Sequence, residues 1–126
     1  MKFEGTSTWG HTIVADANKG VGGTEDGVGP TELLMYAVAS CTGMDVVYLL
    51  KKMKQQVTVL EIEVAGHQND DYPKPFHKIE VDYIFSGKDL DLSKLERAVE
   101  LSQEKYCVVS QTVKGMANIK TSISIV

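Results

Sequence analysis

The longest apolar stretch of the chain, residues 29–50, has hydrophobic side chains at positions that would cover every side of a helix. Pro30 suits the first helical position, where its missing N–H leaves no hydrogen bond unmade. Glu32 suits the positive end of the helix dipole, and three lysines between residues 51 and 54 suit the negative end. The pattern therefore predicts a helix from about Pro30 to Lys54. A helix that is apolar all round needs cover from other protein, such as a second subunit.

Alternation of apolar and polar residues predicts strands on both sides of this helix. The first 17 residues are expected to form two short strands around a turn at Gly10. Residues 57–68 and 76–87 are expected to form two longer strands, and residues 119–125 a closing strand. The buried face of the second long strand is predicted to carry Ile79, Val81, Tyr83 and Phe85.

A second helix is predicted from Ser93 to the residue before Cys107, since Ser93 and Glu96 have the spacing of a capping box. Ser110 is then expected to cap a short third helix. The order ββ-α-ββ-α-β is typical of an α+β fold with a mainly antiparallel sheet. The length of the chain and the lack of repeats or linkers predict a single domain over residues 1–126.

The charge pattern narrows the choice of partners. The net charge is −4, there is no basic run, and Arg97 is the one arginine, so neither nucleic acid nor an anionic membrane is an expected partner. The N-terminus lacks the apolar run of a signal peptide, which predicts a cytoplasmic protein. A transmembrane span is not expected, because the apolar stretch is interrupted by Ser40, Thr42, Gly43 and Asp45.

A glycine-rich segment precedes the first helix. Five of the eleven glycines lie between Gly20 and Gly29, without the spacing of a phosphate-binding motif. This segment is interpreted as a flexible loop, with a mobile flap over a site as the alternative.

Two cysteines and one aspartate are the candidate reactive groups. Cys41 and Cys107 are 66 residues apart, with no CxxC motif and no paired histidines, so we expect no metal site and no cofactor. Taken alone, Cys41 in mid-helix is typical of a buried thiol, and a charged Asp45 one turn later would oppose its ionisation. Cys107 lies just before a predicted helix start, where backbone N–H groups can stabilise a thiolate. These observations leave both a structural and a reactive role open for Cys107.

Two segments resemble signatures of the OsmC and organic hydroperoxide resistance family. They are GPTELLMYAVASCTGMDVV at residues 29–47 and EKYCVVSQTV at residues 104–113, each built around a cysteine and in the family's order. The resemblance covers most of the chain. It implies an OsmC-like fold, in which antiparallel sheets wrap around long central helices in an intertwined homodimer.

The resemblance also implies a reaction. Family enzymes reduce organic hydroperoxides with a cysteine pair at the dimer interface, in defence against oxidative stress. Carried over, Cys41 would attack the peroxide and become a sulfenic acid, and Cys107 would close a disulfide on it. A small-molecule hydroperoxide and a dithiol reductant are then the expected partners.

Two departures from the family's peroxidases bear on this expectation. Those enzymes place a glutamate directly after the first proline of the helix, whereas this chain has Thr31 there and Glu32 one residue later. They also use an N-terminal arginine, and no arginine precedes Arg97 here. Glu32 and Asp45 therefore join the two cysteines as candidate catalytic residues, with Asp45 as a proton relay or as a structural residue of the interface.

Two other functions remain open. One is a non-peroxidatic protein of the same fold that binds a small hydrophobic ligand at the dimer interface. The other is a hydrolase or acyl-transfer enzyme with Cys41 as nucleophile, which no histidine near either signature supports.

Overall fold

The computed structural model describes residues 1–126, which divide into two compact units, Met1–Tyr36 and Ala37–Val126. The predicted α+β class and the predicted order of elements are confirmed. In chain order the elements are β1 (Phe3–Thr6), β2 (Thr12–Ala15), a 3₁₀ turn (Lys19–Val21), α1 (Pro30–Lys52), β3 (Gln56–Gln68), β4 (Phe76–Lys88), α2 (Leu92–Leu101), a π-helical turn (Ser102–Tyr106), α3 (Val108–Val113) and β5 (Asn118–Ile125).

The first unit is a small antiparallel hairpin followed by the glycine-rich segment. Strands β1 and β2 pair in register, and Gly10 at φ 82° makes the turn between them, as predicted. The glycine-rich segment folds back on the chain so closely that a Cβ at Gly23 would lie 1.8 Å from the Ala17 carbonyl oxygen. Only glycine permits this approach.

One carboxylate organises that segment. Asp16 is buried, and its oxygens accept hydrogen bonds from the backbone amides of Ala17, Thr24 and Asp26 and from the Thr24 hydroxyl. The bond from the Thr24 hydroxyl, supported by those three amides, holds the pKa of Asp16 well below its ordinary value, although burial acts in the opposite direction. The segment predicted as a flexible loop or flap thus has a defined anchor.

The second unit contains a three-stranded sheet in the order β3-β4-β5. Strands β3 and β4 are antiparallel, while β4 and β5 are parallel because α2 and α3 connect them as a crossover. The four residues predicted for the buried face of β4 are fully buried. They form the centre of the core, and the alternation of the sequence is therefore confirmed.

Helix α2 begins at Leu92, one residue earlier than predicted. Asp91 is the N-cap, and its carboxylate accepts hydrogen bonds from the Ser93 amide at 3.0 Å and the Ser93 hydroxyl at 2.7 Å. The predicted cap at Ser93 is wrong because the carboxylate takes the capping position and the serine hydroxyl donates to it.

Helix α1 ends at Lys52, two residues before the predicted end, and Lys54 adopts a left-handed conformation at φ 58°. One face of the helix is buried within the second unit, through Val38, Thr42, Val46 and Leu50. The opposite face carries Met44, Val47 and Tyr48, which are exposed in a single chain.

By length and composition alone, α1 could also cross a membrane, and it is the one helix that meets this test. The core helix of a soluble protein meets the same test.

Candidate functional site

Helix α1 and the junction before α3 bring together the two cysteines and Asp45. The sulfur atoms of Cys41 and Cys107 and a carboxylate oxygen of Asp45 all lie within 4.8 Å of one another. Both cysteines are free thiols in the structure. Folding therefore joins two sulfurs that are 66 residues apart in the sequence.

Cys107 is held in place by the helical turns on both sides of it. Its amide donates to the Ser102 carbonyl at 2.8 Å, which closes the π-helical turn. Its sulfur accepts a hydrogen bond from the Ser110 amide at 3.3 Å and so caps α3. The prediction that Ser110 caps α3 is wrong, because the helix starts at Val108 and the cysteine sulfur occupies the capping position.

The Cys107 thiol is fully buried, and burial raises its pKa. The hydroxyl and the amide of Ser110 act in the opposite direction, while the hydrogen bond with Cys41 raises the pKa further. The Ser110 hydroxyl is itself buried and has no partner that meets hydrogen-bond geometry. Cys107 is therefore the protonated, inaccessible member of the pair.

Cys41 is only partly buried. It lies on the face of α1 that also carries Met44 and Tyr48, three and seven residues later, and both of these side chains are exposed. Cys41 is thus the member of the pair that a small molecule can approach from this face.

Asp45 is one helical turn after Cys41 and is partly buried. Its carboxylate accepts a hydrogen bond from the Ser102 hydroxyl at 3.2 Å. Ser102 belongs to the turn that leads to Cys107, so this bond ties the carboxylate to the segment that positions the second sulfur.

A buried polar network lies beneath the three groups. The Thr42 hydroxyl is 2.7 Å from the Tyr83 hydroxyl and 2.8 Å from the Ser102 hydroxyl. The Gln103 amide donates to Tyr83 at 2.9 Å and to Thr42 at 3.2 Å. Burial raises the pKa of Tyr83, which keeps its hydroxyl protonated and able to donate.

Sequence reasoning assigned Tyr83 only to a buried strand face and did not predict the network. The available signal was their polarity, since Thr42, Ser102 and Tyr83 all fall on core positions. Buried hydroxyl groups require hydrogen-bond partners, so three hydroxyls at core positions are expected to bond to one another.

Glu32 lies in the first unit, at the start of α1. Its carboxylate accepts a hydrogen bond from the Gly29 amide at 2.9 Å, and its side chain is exposed. This contact stabilises the N-terminus of the helix. A catalytic role for Glu32 stays a prediction.

Comparisons with known proteins agree on one family. The family model described as "OsmC-like protein" matches residues 23–122. Protein YhfA of Escherichia coli K12 is 33% identical over 126 residues, which is 100% of this chain and 91% of that protein.

Solved structures show the same fold. A hypothetical protein from Aquifex aeolicus is 33% identical, with a TM-score of 0.83 and coverage of 100% of this chain and 95% of that chain. An organic hydroperoxide resistance protein from Elizabethkingia anophelis is 16% identical, with a TM-score of 0.73 and coverage of 99% and 94%. The likeness to the second structure concerns the fold alone.

Proposed function

The chain belongs to the OsmC-like protein family, and from this premise we propose that it is a thiol-dependent peroxidase that reduces organic hydroperoxides. The observation that carries the proposal is the approach of the two sulfurs and the Asp45 carboxylate to within 4.8 Å. The family relationship to proteins named for organic hydroperoxide resistance supports the choice of substrate.

Cys41 is the nucleophile in this proposal because it is the accessible sulfur. Its thiolate attacks the terminal oxygen of the hydroperoxide, the O–O bond breaks, and the leaving alkoxide takes a proton to become an alcohol. Cys41 is oxidised to a sulfenic acid. The interaction with Cys41 raises the pKa of the buried Cys107 thiol, which suits Cys107 to the role of the second, resolving sulfur.

Cys107 then resolves the intermediate. Its sulfur attacks the Cys41 sulfenic acid, water leaves, and a disulfide forms between the two sulfurs. A disulfide needs an S–S distance of about 2.05 Å, so the sulfurs must approach by at most about 3 Å. A dithiol reductant restores the two thiols and is itself oxidised to a disulfide.

We assign the proton transfers of these steps to Asp45. It adjoins both sulfurs and receives a hydrogen bond from Ser102. In the proposal Asp45 accepts the Cys41 proton as a general base and then, as a general acid, returns it to the leaving alkoxide.

We further propose that the active form is a homodimer. The face of α1 that bears Cys41 also exposes Met44, Val47 and Tyr48, and the β1-β2 hairpin exposes Phe3 and Trp9. Large apolar residues concentrated on single faces are typical of protein interfaces. A second chain that covers this face of α1 would also form one wall of an apolar pocket beside Cys41. Light scattering during gel filtration tests this directly, and a monomer at micromolar concentration would contradict it.

Thiol counting tests the reaction. The reduced protein is treated with one equivalent of cumene hydroperoxide and then alkylated under denaturing conditions. We expect loss of both thiols, release of one equivalent of cumyl alcohol, and an intramolecular Cys41–Cys107 disulfide in the peptide map. A Cys107→Ser variant should instead hold a trappable sulfenic acid at Cys41, and Cys41→Ser should retain its remaining thiol.

Persistence of two free thiols after this treatment would contradict the peroxidase. It would favour the alternative of a binding protein for a small hydrophobic ligand. We also propose a cytoplasmic location, because a reductant that restores the two thiols is available in a reducing compartment.

A further inference from the structure

The three groups of the site have the chemistry of a metal-binding set. Cys41 and Cys107 supply two sulfurs, and Asp45 supplies an oxygen. These are ligand types that Zn²⁺ takes, commonly as three protein ligands with a water in the fourth position. The spacing of cysteines in the sequence did not indicate such a site, because its members come from two distant segments that meet only in the folded chain.

The distances suit one ion. In a tetrahedral zinc site with Zn–S bonds of about 2.3 Å, two sulfurs are about 3.8 Å apart, and a sulfur and a carboxylate oxygen about 3.5 Å apart. The three atoms here are within 4.8 Å of one another. Each pair of ligand atoms therefore needs to approach by about 1.3 Å at most to reach these separations. Cys41 and Asp45 are only partly buried, which leaves an open side for a water ligand.

Groups that would support the ligands are already in place. The Ser102 hydroxyl donates to Asp45 at 3.2 Å, and the Ser110 amide donates to the Cys107 sulfur at 3.3 Å. Hydrogen bonds of this kind orient the ligands of metal sites.

The Ser110 hydroxyl provides a separate observation. It is fully buried, has no partner that meets hydrogen-bond geometry, and lies near enough to the Cys107 sulfur to lower the pKa of that thiol. A buried hydroxyl without a partner is costly to keep. A thiolate fixed on a cation beside it would give this hydroxyl an acceptor.

We propose that the reduced protein binds one Zn²⁺ per chain through Cys41, Asp45 and Cys107. Metal binding and oxidation then compete for the two thiols, because a disulfide removes both sulfur ligands. Bound zinc protects the thiols from hydroperoxide, and oxidation releases the ion. The binding itself does not depend on the proposed peroxidase activity.

Cobalt and zinc titrations of the reduced, full-length protein test the site. We expect one Co²⁺ per chain, with a thiolate-to-cobalt charge-transfer band and the visible bands of a tetrahedral site, all displaced by one equivalent of Zn²⁺. The charge-transfer band should fall by about half in Cys41→Ser and in Cys107→Ser, because each variant keeps one sulfur. A cobalt spectrum without a charge-transfer band, or binding retained by the double serine variant, would overturn the proposal.

The carboxylate ligand has a matched control. Asp45→Asn should weaken zinc affinity by at least tenfold, while Asp71→Asn, an exposed aspartate in the β3-β4 loop, should leave it unchanged. Ser110→Ala should keep the stoichiometry and weaken affinity about tenfold, as the loss of a supporting hydrogen bond does in other metal sites. Equal affinity in Asp45→Asn and the parent protein would exclude the three-ligand site, and unfolding of a variant is checked by circular dichroism before titration.

Protection of the thiols is measured separately. One equivalent of Zn²⁺ should slow thiol loss to cumene hydroperoxide, and a chelator should restore the rate. Protein that binds cobalt as described but never reacts with hydroperoxide would refute the peroxidase and leave the metal site standing.

Discussion

Two carboxylates, Asp16 in the first unit and Asp45 in the second, stand in very different surroundings. Asp16 accepts four hydrogen bonds from its own neighbourhood and is paired with the amino terminus at 3.6 Å. Asp45 accepts one hydrogen bond, from Ser102, and otherwise faces two sulfurs. A carboxylate has about four acceptor positions. Those of Asp16 are used to fold a loop, whereas most of those of Asp45 receive no hydrogen bond and are open to the proposed proton transfer or metal binding.

Asp16 is the aspartate with the structural role. The sequence singled out Asp45 by its place in an apolar helix one turn after Cys41, but it gave no sign that Asp16 anchors the glycine-rich segment. Hydrogen-bond saturation separates the two, because a saturated anion has little capacity left for chemistry.

The largest effect is expected from Asp45→Asn. Removal of the proton acceptor should slow the reaction of Cys41 with cumene hydroperoxide by about 10²-fold, the lower range for general acid–base catalysis. Alkylation by iodoacetamide serves as the control, because it consumes the same Cys41 thiolate but needs no proton delivery to a leaving alkoxide, so it should slow less than the hydroperoxide reaction. Equal slowing of both reactions would contradict proton delivery from Asp45 to the alkoxide.

A second effect concerns stability around the site. Thr42→Val should lower the free energy of unfolding by about 1–3 kcal/mol, since it leaves Tyr83 and Ser102 buried with fewer partners. Thr42→Ser keeps the hydroxyl and should cost less. Urea titration followed by circular dichroism measures both. A smaller loss for valine than for serine would show that packing, not the polar network, governs this position.

Asp16→Asn should change the stability of the protein and not its reaction rate, whereas Asp45→Asn should change the rate. It should lower the thermal midpoint, because the amide nitrogen cannot accept the bonds that now reach both carboxylate oxygens. The intrinsic rate of Cys41 with hydroperoxide in the folded variant should remain that of the parent protein. A large loss of rate in a folded Asp16→Asn variant would remove the contrast between the two carboxylates.

The smallest effect is a pH dependence. The pKa of Asp16 is lower in the folded chain than in the unfolded chain, where it is about 3.9. The stabilisation is therefore fully present above about pH 5 and is lost as the pH falls through and below the unfolded value. Thermal midpoints of the parent protein should decline more steeply than those of Asp16→Asn between about pH 5 and pH 3. Parallel curves would mean that the Asp16 bonds persist in the unfolded chain.

Much of the fold could be predicted from local signals. The alternation at Ile79, Val81, Tyr83 and Phe85 placed β4 and its buried face, and Pro30 placed the start of α1. Helix caps were predicted less well, because Asp91 and Cys107 took positions that the sequence assigned to serines. Both the observed and the predicted capping residues can accept a hydrogen bond from an amide at the helix N-terminus. Tertiary packing therefore decides which of the nearby candidates does so.

The amino-acid sequence alone determined the class of the fold, the order of its elements, and the presence of a thiol and a carboxylate one turn apart on α1. These follow from periodicities of 2 and 3.6 residues, which act over short stretches of chain. Only the tertiary structure decided that Cys107 meets that pair, that Ser102 ties the carboxylate to it, and that the other face of α1 is left uncovered within one chain. Contacts between segments some 60 residues apart depend on the packing of the whole core, which no local pattern encodes.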